Sequence, residues 1–142
     1  IATGSQQSST VLACYDSSFC AALLEAAASV LIEERPVLLV AYDLPPPPPL
    51  YAARSLRGGF AAALLLTRAP APKNLAQLDL VLSNDRSEKA TSMDDARLEA
   101  LRSGNQAARA LPLLAAIAKQ RATSVCLEYL EEQYLSIRVM PC

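Results

Sequence analysis

Apolar residues come in blocks separated by short polar or proline-bearing spacers, and the pattern inside each block predicts its conformation. Ser9–Tyr15 carries the run Val11-Leu12-Ala13-Cys14 and predicts a strand. Asp16-Ser17-Ser18 follows, and any of the three can cap a helix by accepting a bond from an unpaired amide. Phe19–Glu34 is helix-forming throughout, with Phe19, Ala22, Leu23, Ala26, Ala27, Val30 and Leu31 at three- and four-residue spacing. The opposite face is mostly alanine, so close packing on both sides is expected. Pro36 cannot continue the helix. Val37–Tyr42 is then continuously apolar, which suits a central strand of a mostly parallel sheet covered on both faces. Strand, helix, strand in that order predicts a right-handed βαβ crossover.

The second half alternates more clearly. After Asp43-Leu44, Pro45–Pro49 predicts a polyproline II rod, rising about 3.1 Å per residue. It reads as a stiff surface connection, or alternatively as a ligand for an aromatic-lined groove. Gly58-Gly59 predicts a tight turn or a close backbone approach, and Phe60–Thr67 another apolar strand. Leu78, Leu80 and Leu82 alternate as in a half-exposed strand. Ser83–Gly104 is polar and is expected to be mobile on the surface, with a short helix near Asp94–Leu101. Pro112 suits the first turn of a helix running to Lys119. Thr123–Tyr129 and Tyr134–Met140 predict an antiparallel hairpin joined near Glu131-Glu132, with Val125, Leu127 and Tyr129 on one face. The fold class is therefore α/β, layered, with a mixed sheet.

Composition narrows the function. Of the 142 residues, 52% are hydrophobic and 19% charged, enough for one modest core and sparing in charged surface. Apolar area is left to meet another chain or another part of this one. The formal net charge of -1, with Lys and Arg scattered singly, excludes a phosphate-backbone surface, so no nucleic-acid partner is expected. Phe19–Ile32 is broken by Glu25 and Ser29 and reads as too short for a membrane span. The chain opens on Ile1 and runs at once into a β-like stretch, so a preceding segment is expected to be missing.

No histidine occurs. A Ser or Cys nucleophile thus lacks its usual base, and the commonest metal ligand is absent. Ser17 or Ser18 at the strand-to-helix turn is the position for an exposed nucleophile, but no spacing brings Lys89 or Lys119 there as a base. Cys14, Cys20, Cys126 and Cys142 show no C-x-x-C spacing, which predicts reduced thiols in a cytoplasmic protein with no metal or cofactor. The neighbours Glu33-Glu34 and Asp94-Asp95 point apart on a helix and read as solvated ends.

Ile1-Ala2-Thr3-Gly4, Ser9–Asp16, Ser17-Ser18 and the apolar helix into Val37–Ala41 resemble the N-terminal half of a β-ketoacyl-ACP synthase, a thiolase-like fold. Tyr42-Asp43, Pro49-Leu50 and the strand after Gly59 extend the resemblance to about Arg68, and Leu111–Leu114 shares it less specifically. The likeness is closest to the β-ketoacyl synthase-like N-terminal family, which includes chain-length-factor-like subunits of aryl polyene biosynthesis.

The resemblance implies a partial domain over residues 1–142. Active relatives carry a nucleophilic Cys where the strand turns into the helix. A gapless match puts Asp16 there and a shifted register puts Ser18 there, with Cys14 and Cys20 two residues off. The implied role is a catalytically silent partner of a β-ketoacyl-ACP synthase subunit that meets acyl carrier protein only indirectly. Val11, Leu12 and Ala13 would form the interface strand, and Phe19 and Leu23 would limit the partner's acyl pocket. The alternatives are a truncated condensing enzyme and a non-enzymatic scaffold or peptide-binding module.

Overall fold

A computed structural model describes the chain apart from residues 1–3, 5 and 86. Of the opening Ile1-Ala2-Thr3-Gly4, only Gly4 is therefore within the described residues. Two antiparallel sheets enclose a helical layer. The first pairs β1 (Val37–Asp43) with β2 (Phe60–Leu66), in a register running from Val37↔Leu66 to Asp43↔Phe60. The second has the order β3-β5-β4, with β3 at Ala76–Ser83, β4 at Thr123–Tyr129 and β5 at Gln133–Pro141. The layered α/β class and the terminal hairpin are as expected from the sequence.

The parallel crossover is not, and the expectation of a mixed sheet is corrected to two antiparallel ones. Residues 9–14 join no ladder, and Val11 is 92% exposed. A strand exists only where its amides and carbonyls find a neighbouring backbone, and none lies beside this segment among the described residues. Coverage on both faces also fails within the chain. Leu38, Val40 and Tyr42 of β1 and Leu65 of β2 point outward and are exposed, while Leu39 and Leu64 face the core.

Helix α1 (Ser18–Glu33) holds the two sheets together. Its fully buried stripe is Phe19, Cys20, Leu23, Ala26 and Val30, and it touches β1, β2 and β4. The far end of the helix is open, with Leu31 and Ile32 exposed, so the expected packing all round holds for one stripe only. A 3₁₀ turn at Tyr15–Ser17 precedes α1. Together they make a helical run, Tyr15–Glu33, long and apolar enough by length and composition to cross a membrane, which corrects the shorter sequence estimate. Its buried stripe packs between two sheets, the setting of a core helix.

Helix α4 (Leu111–Ala118) lies on β4 and β5 and completes the core with Leu113 and Ala116 against Val125, Leu127, Leu135, Ile137 and Val139. Pro112 sits in its first turn, where a missing amide costs nothing. Each fully buried Leu or Ile contributes about 1.5–3 kcal/mol of transfer free energy.

The connections are tied down more firmly than their composition suggests. The proline run turns at Pro48-Pro49 into a short helix α2 (Leu50–Ala53) instead of continuing as a rod. Gly58 has φ +85, a conformation that favours glycine, and a Cβ at Gly59 would come 2.7 Å from Leu44 Cδ2. Buried Asn105 donates to the carbonyls of Asp43 (3.3 Å) and Gly58 (3.0 Å) and accepts from the Ala108 amide (3.1 Å).

The Ser83–Gly104 segment, expected to be loose, is strapped to the second sheet. Thr91 exchanges bonds with Cys126 through its amide (2.8 Å) and its hydroxyl (2.9 Å). The Glu88 carboxylate accepts from Ser136 Oγ (2.7 Å) and Cys126 Sγ (3.3 Å). The segment ends in α3 (Ala96–Gly104), capped by Asp95, which accepts from the amides of Arg97 and Leu98. Glu33 and Glu34, placed against the dipole at the end of α1, are paired with Arg35 and Arg68.

Candidate functional site at the strand-to-helix turn

The turn into α1 forms one wall of an open cleft of about 810 Å³. Asp16 and Ser17 face Glu128, Leu130 and Tyr134 from the β4–β5 hairpin across it. Tyr15 takes φ +48, a left-handed conformation uncommon for a residue with a side chain, and so throws its ring outward. Tyr15 is 79% exposed, with the Arg54 guanidinium 5.2 Å from the centre of its ring. This is a sharp turn of the kind that presents one side chain at a helix start.

None of the three capping candidates caps the helix with its side chain. Ser18 Oγ instead accepts from the Cys14 amide (2.9 Å) and donates to the Tyr15 carbonyl (2.6 Å), bracing the turn internally. Ser17 Oγ accepts from the Leu130 amide (3.0 Å) and ties the turn to the β4–β5 connection. Both hydroxyls are thus committed to backbone, which competes with local capping in the way short polar side chains often do.

Asp16 carries the charge chemistry. Gln106 Nε2 donates to Oδ1 (3.2 Å), and Arg109 Nη2 lies 3.5 Å from Oδ2. The other prong of Arg109 donates to Glu128. Both Gln106 and Arg109 come from the segment around a second 3₁₀ turn, Ala107–Ala110. The carboxylate at this position thus accepts one hydrogen bond and faces one cation.

Cys14 is a free, partly exposed thiol on the cleft wall, whereas Cys20 and Cys126 are not poised as nucleophiles. Cys20 is buried, its Sγ donates to the Glu128 carbonyl (3.3 Å), and burial pushes its pKa up to about 12. Cys126, on the outer face of the second sheet, is likewise pushed up to about 12, first by burial and then by Glu88. Lys89 and Lys119 are exposed and do not line the cleft. No group of three or more Cys, Asp or Glu able to hold a metal ion occurs among the described residues.

The residues singled out in the sequence thus fall into three places. Asp16 and Ser18 share the turn, with Asp16 on the cleft wall. Val11, Leu12 and Ala13 lie exposed on the approach to it. Phe19 and Leu23 are 2% and 0% exposed in the core beneath, so any influence on an acyl pocket acts through the position of the turn. Sequence reasoning missed Arg109 and Gln106. The signal for Arg109 is a single cation in the otherwise apolar stretch Ala107–Ala118, where a charge is retained only with a partner.

Residues 1–133 match the family described as Beta-ketoacyl synthase, N-terminal domain. No curated protein and no solved structure matches the chain. The family match takes in every element from the turn to the end of β4, and the observed α/β layers agree with a partial thiolase-like domain. The chain belongs to the β-ketoacyl synthase N-terminal domain family.

Proposed function

We propose that this chain is a noncatalytic, chain-length-factor-like subunit that partners a β-ketoacyl-ACP synthase and shapes the pocket for the growing acyl chain. The observation that carries the reading is Asp16, at the position where the family resemblance expects the nucleophile, held by Gln106 and Arg109. A carboxylate at that point repels the developing oxyanion of a thioester under attack rather than stabilising it. The adjacent hydroxyls of Ser17 and Ser18 are engaged with backbone, and residues 1–142 hold no histidine.

The reaction assigned to the partner is decarboxylative condensation of an acyl thioester with malonyl-ACP. There a carbon–carbon bond forms as carbon dioxide and the thiolate leave. A cytoplasmic setting and an aryl polyene product belong to the same proposal, as does contact with acyl carrier protein through the partner.

The segment leading into the turn supports the partner role. Val11, Leu12 and Ala13 are exposed, and their backbone joins no ladder among the described residues. An uncharged stretch of this kind is a template for another chain's edge. Proline at Val11 or Leu12, or Ala13→Arg, tests it by co-purification with a co-expressed ketosynthase and light scattering. At least one of the three is expected to abolish the complex without unfolding the chain. Wild-type affinity in all three would remove this segment from the interface.

A further inference from the structure

We infer that Arg109 is a positioning residue that sets both the geometry and the charge of the cleft wall presented to the partner. The inference rests on the partner reading above for its functional half, and on this chain alone for its structural half. The Arg109 side chain is only 17% exposed, whereas the two carboxylates it joins, Asp16 and Glu128, are 65% and 55% exposed. The acids therefore reach in from the cleft rim to a cation seated in the protein.

One planar guanidinium spans two elements. One prong meets Asp16 of the turn before α1, and the other meets Glu128 near the end of β4. A rigid fork of this kind fixes the spacing between its two partners, which a flexible ammonium group does not. The turn with the start of α1, and the end of β4 with the connection after it, are joined twice more. Ser17 Oγ accepts from the Leu130 amide (3.0 Å), and Cys20 Sγ donates to the Glu128 carbonyl (3.3 Å). Those two bonds can persist without Arg109, so its loss shifts and loosens the turn without detaching it.

The charge follows the same logic. With Arg109 in place, Asp16 and Glu128 share one positive charge. Without it, two like charges face one cleft and repel. Residues 11–14 run directly into the turn, and moving it moves the segment offered to the ketosynthase.

The test compares Arg109→Gln, Arg109→Lys and Glu128→Gln with wild type. Hydrogen exchange is followed at the amides of residues 15–20. Affinity for a co-expressed ketosynthase and the product-length distribution at saturating subunit are measured in parallel. Arg109→Gln should speed exchange at residues 15–20 and weaken the ketosynthase Kd, each about tenfold, with Leu135 and Ile137 as protected as before. Its product lengths should broaden even when the complex is saturated, a change that mere loss of stability does not produce. Arg109→Lys should recover part of every effect, because one carboxylate remains paired. Glu128→Gln removes one anchor of the fork without creating a like-charge pair, so it should speed exchange at residues 15–20 by a smaller factor, and this exchange arm carries the test if Arg109→Gln does not fold; exchange within experimental error of wild type there would overturn the inference. Exchange and Kd within twofold of wild type in Arg109→Gln would overturn the inference. A wild-type chain that binds no ketosynthase would overturn the functional reading and its half of the inference, while the exchange arm alone still decides whether Arg109 holds the turn.

Discussion

Leu23→Ala is the sharpest perturbation of the fold that presents the cleft. Leu23 is 0% exposed on the α1 stripe that packs against the core between the two sheets, while Leu38 on the outer face of β1 is 63% exposed. Truncation of Leu23 removes transfer free energy of about 2.5 kcal/mol and leaves a cavity that two sheets and a helix cannot easily close. The expected total is about 3–4 kcal/mol. With a urea slope of about 2 kcal/mol/M for a chain of this size, the midpoint should fall by about 1.5–2 M. Leu38→Ala, by contrast, should cost about 0.5 kcal/mol or less. The assay is urea unfolding followed by far-UV circular dichroism, with both variants beside wild type. Equal midpoints for the two variants would refute the sandwiched position of α1.

Asn105→Ala should destabilise by about 2 kcal/mol in the same assay, since it removes three hydrogen bonds made by one buried side chain and leaves the Ala108 amide without its acceptor; a loss below about 0.5 kcal/mol would show that water replaces the side chain. Glu99 is held down at about pKa 2, chiefly by its bonds from Arg102, together with the Met93 amide. A depressed carboxylate stabilises the fold above its ordinary pKa of 4.5 and loses that contribution as pH falls from there toward 2. The pair lies near the surface, so screening leaves about 1 kcal/mol. Glu99→Gln should flatten stability over that window, and an unchanged acid slope would contradict the assignment. Native alkylation near pH 8 should label exposed Cys142 first and Cys20 last, by peptide mass mapping; early labelling of Cys20 would mean that α1 detaches from β4.

Local pattern was enough to locate α1, β1, β2, β3 and the terminal hairpin. In each, apolar spacing is set by the face the element buries, and that information is local. The pairing direction of β1 was not legible. Its outward residues Leu38, Val40 and Tyr42 are apolar, so the strand reads as doubly covered although one face is open in this chain. The Ser9–Tyr15 segment has the composition of a strand, but pairing depends on a neighbour that composition does not encode. The polar Ser83–Gly104 stretch looked free because its anchors, Thr91 and Glu88, bond to Cys126 and Ser136, far along the chain.

The site divides in the same way. Asp16 was legible as the residue at the turn, through family likeness and strand-to-helix order. Its clasp was not, because Gln106 and Arg109 reach it from a distant 3₁₀ turn that only tertiary packing brings near. The serines were expected to cap and instead brace the turn and the hairpin, since the 3₁₀ start of the helix redirects both hydroxyls.

The claim that this subunit is silent and acts through its partner is met most directly by intact-protein mass spectrometry after incubation with acyl-ACP and a ketosynthase. The account predicts acylation of the ketosynthase and an unchanged mass for this chain, alone or in the complex. Stoichiometric acylation of Ser17, Ser18, Cys14 or Cys20 would contradict it.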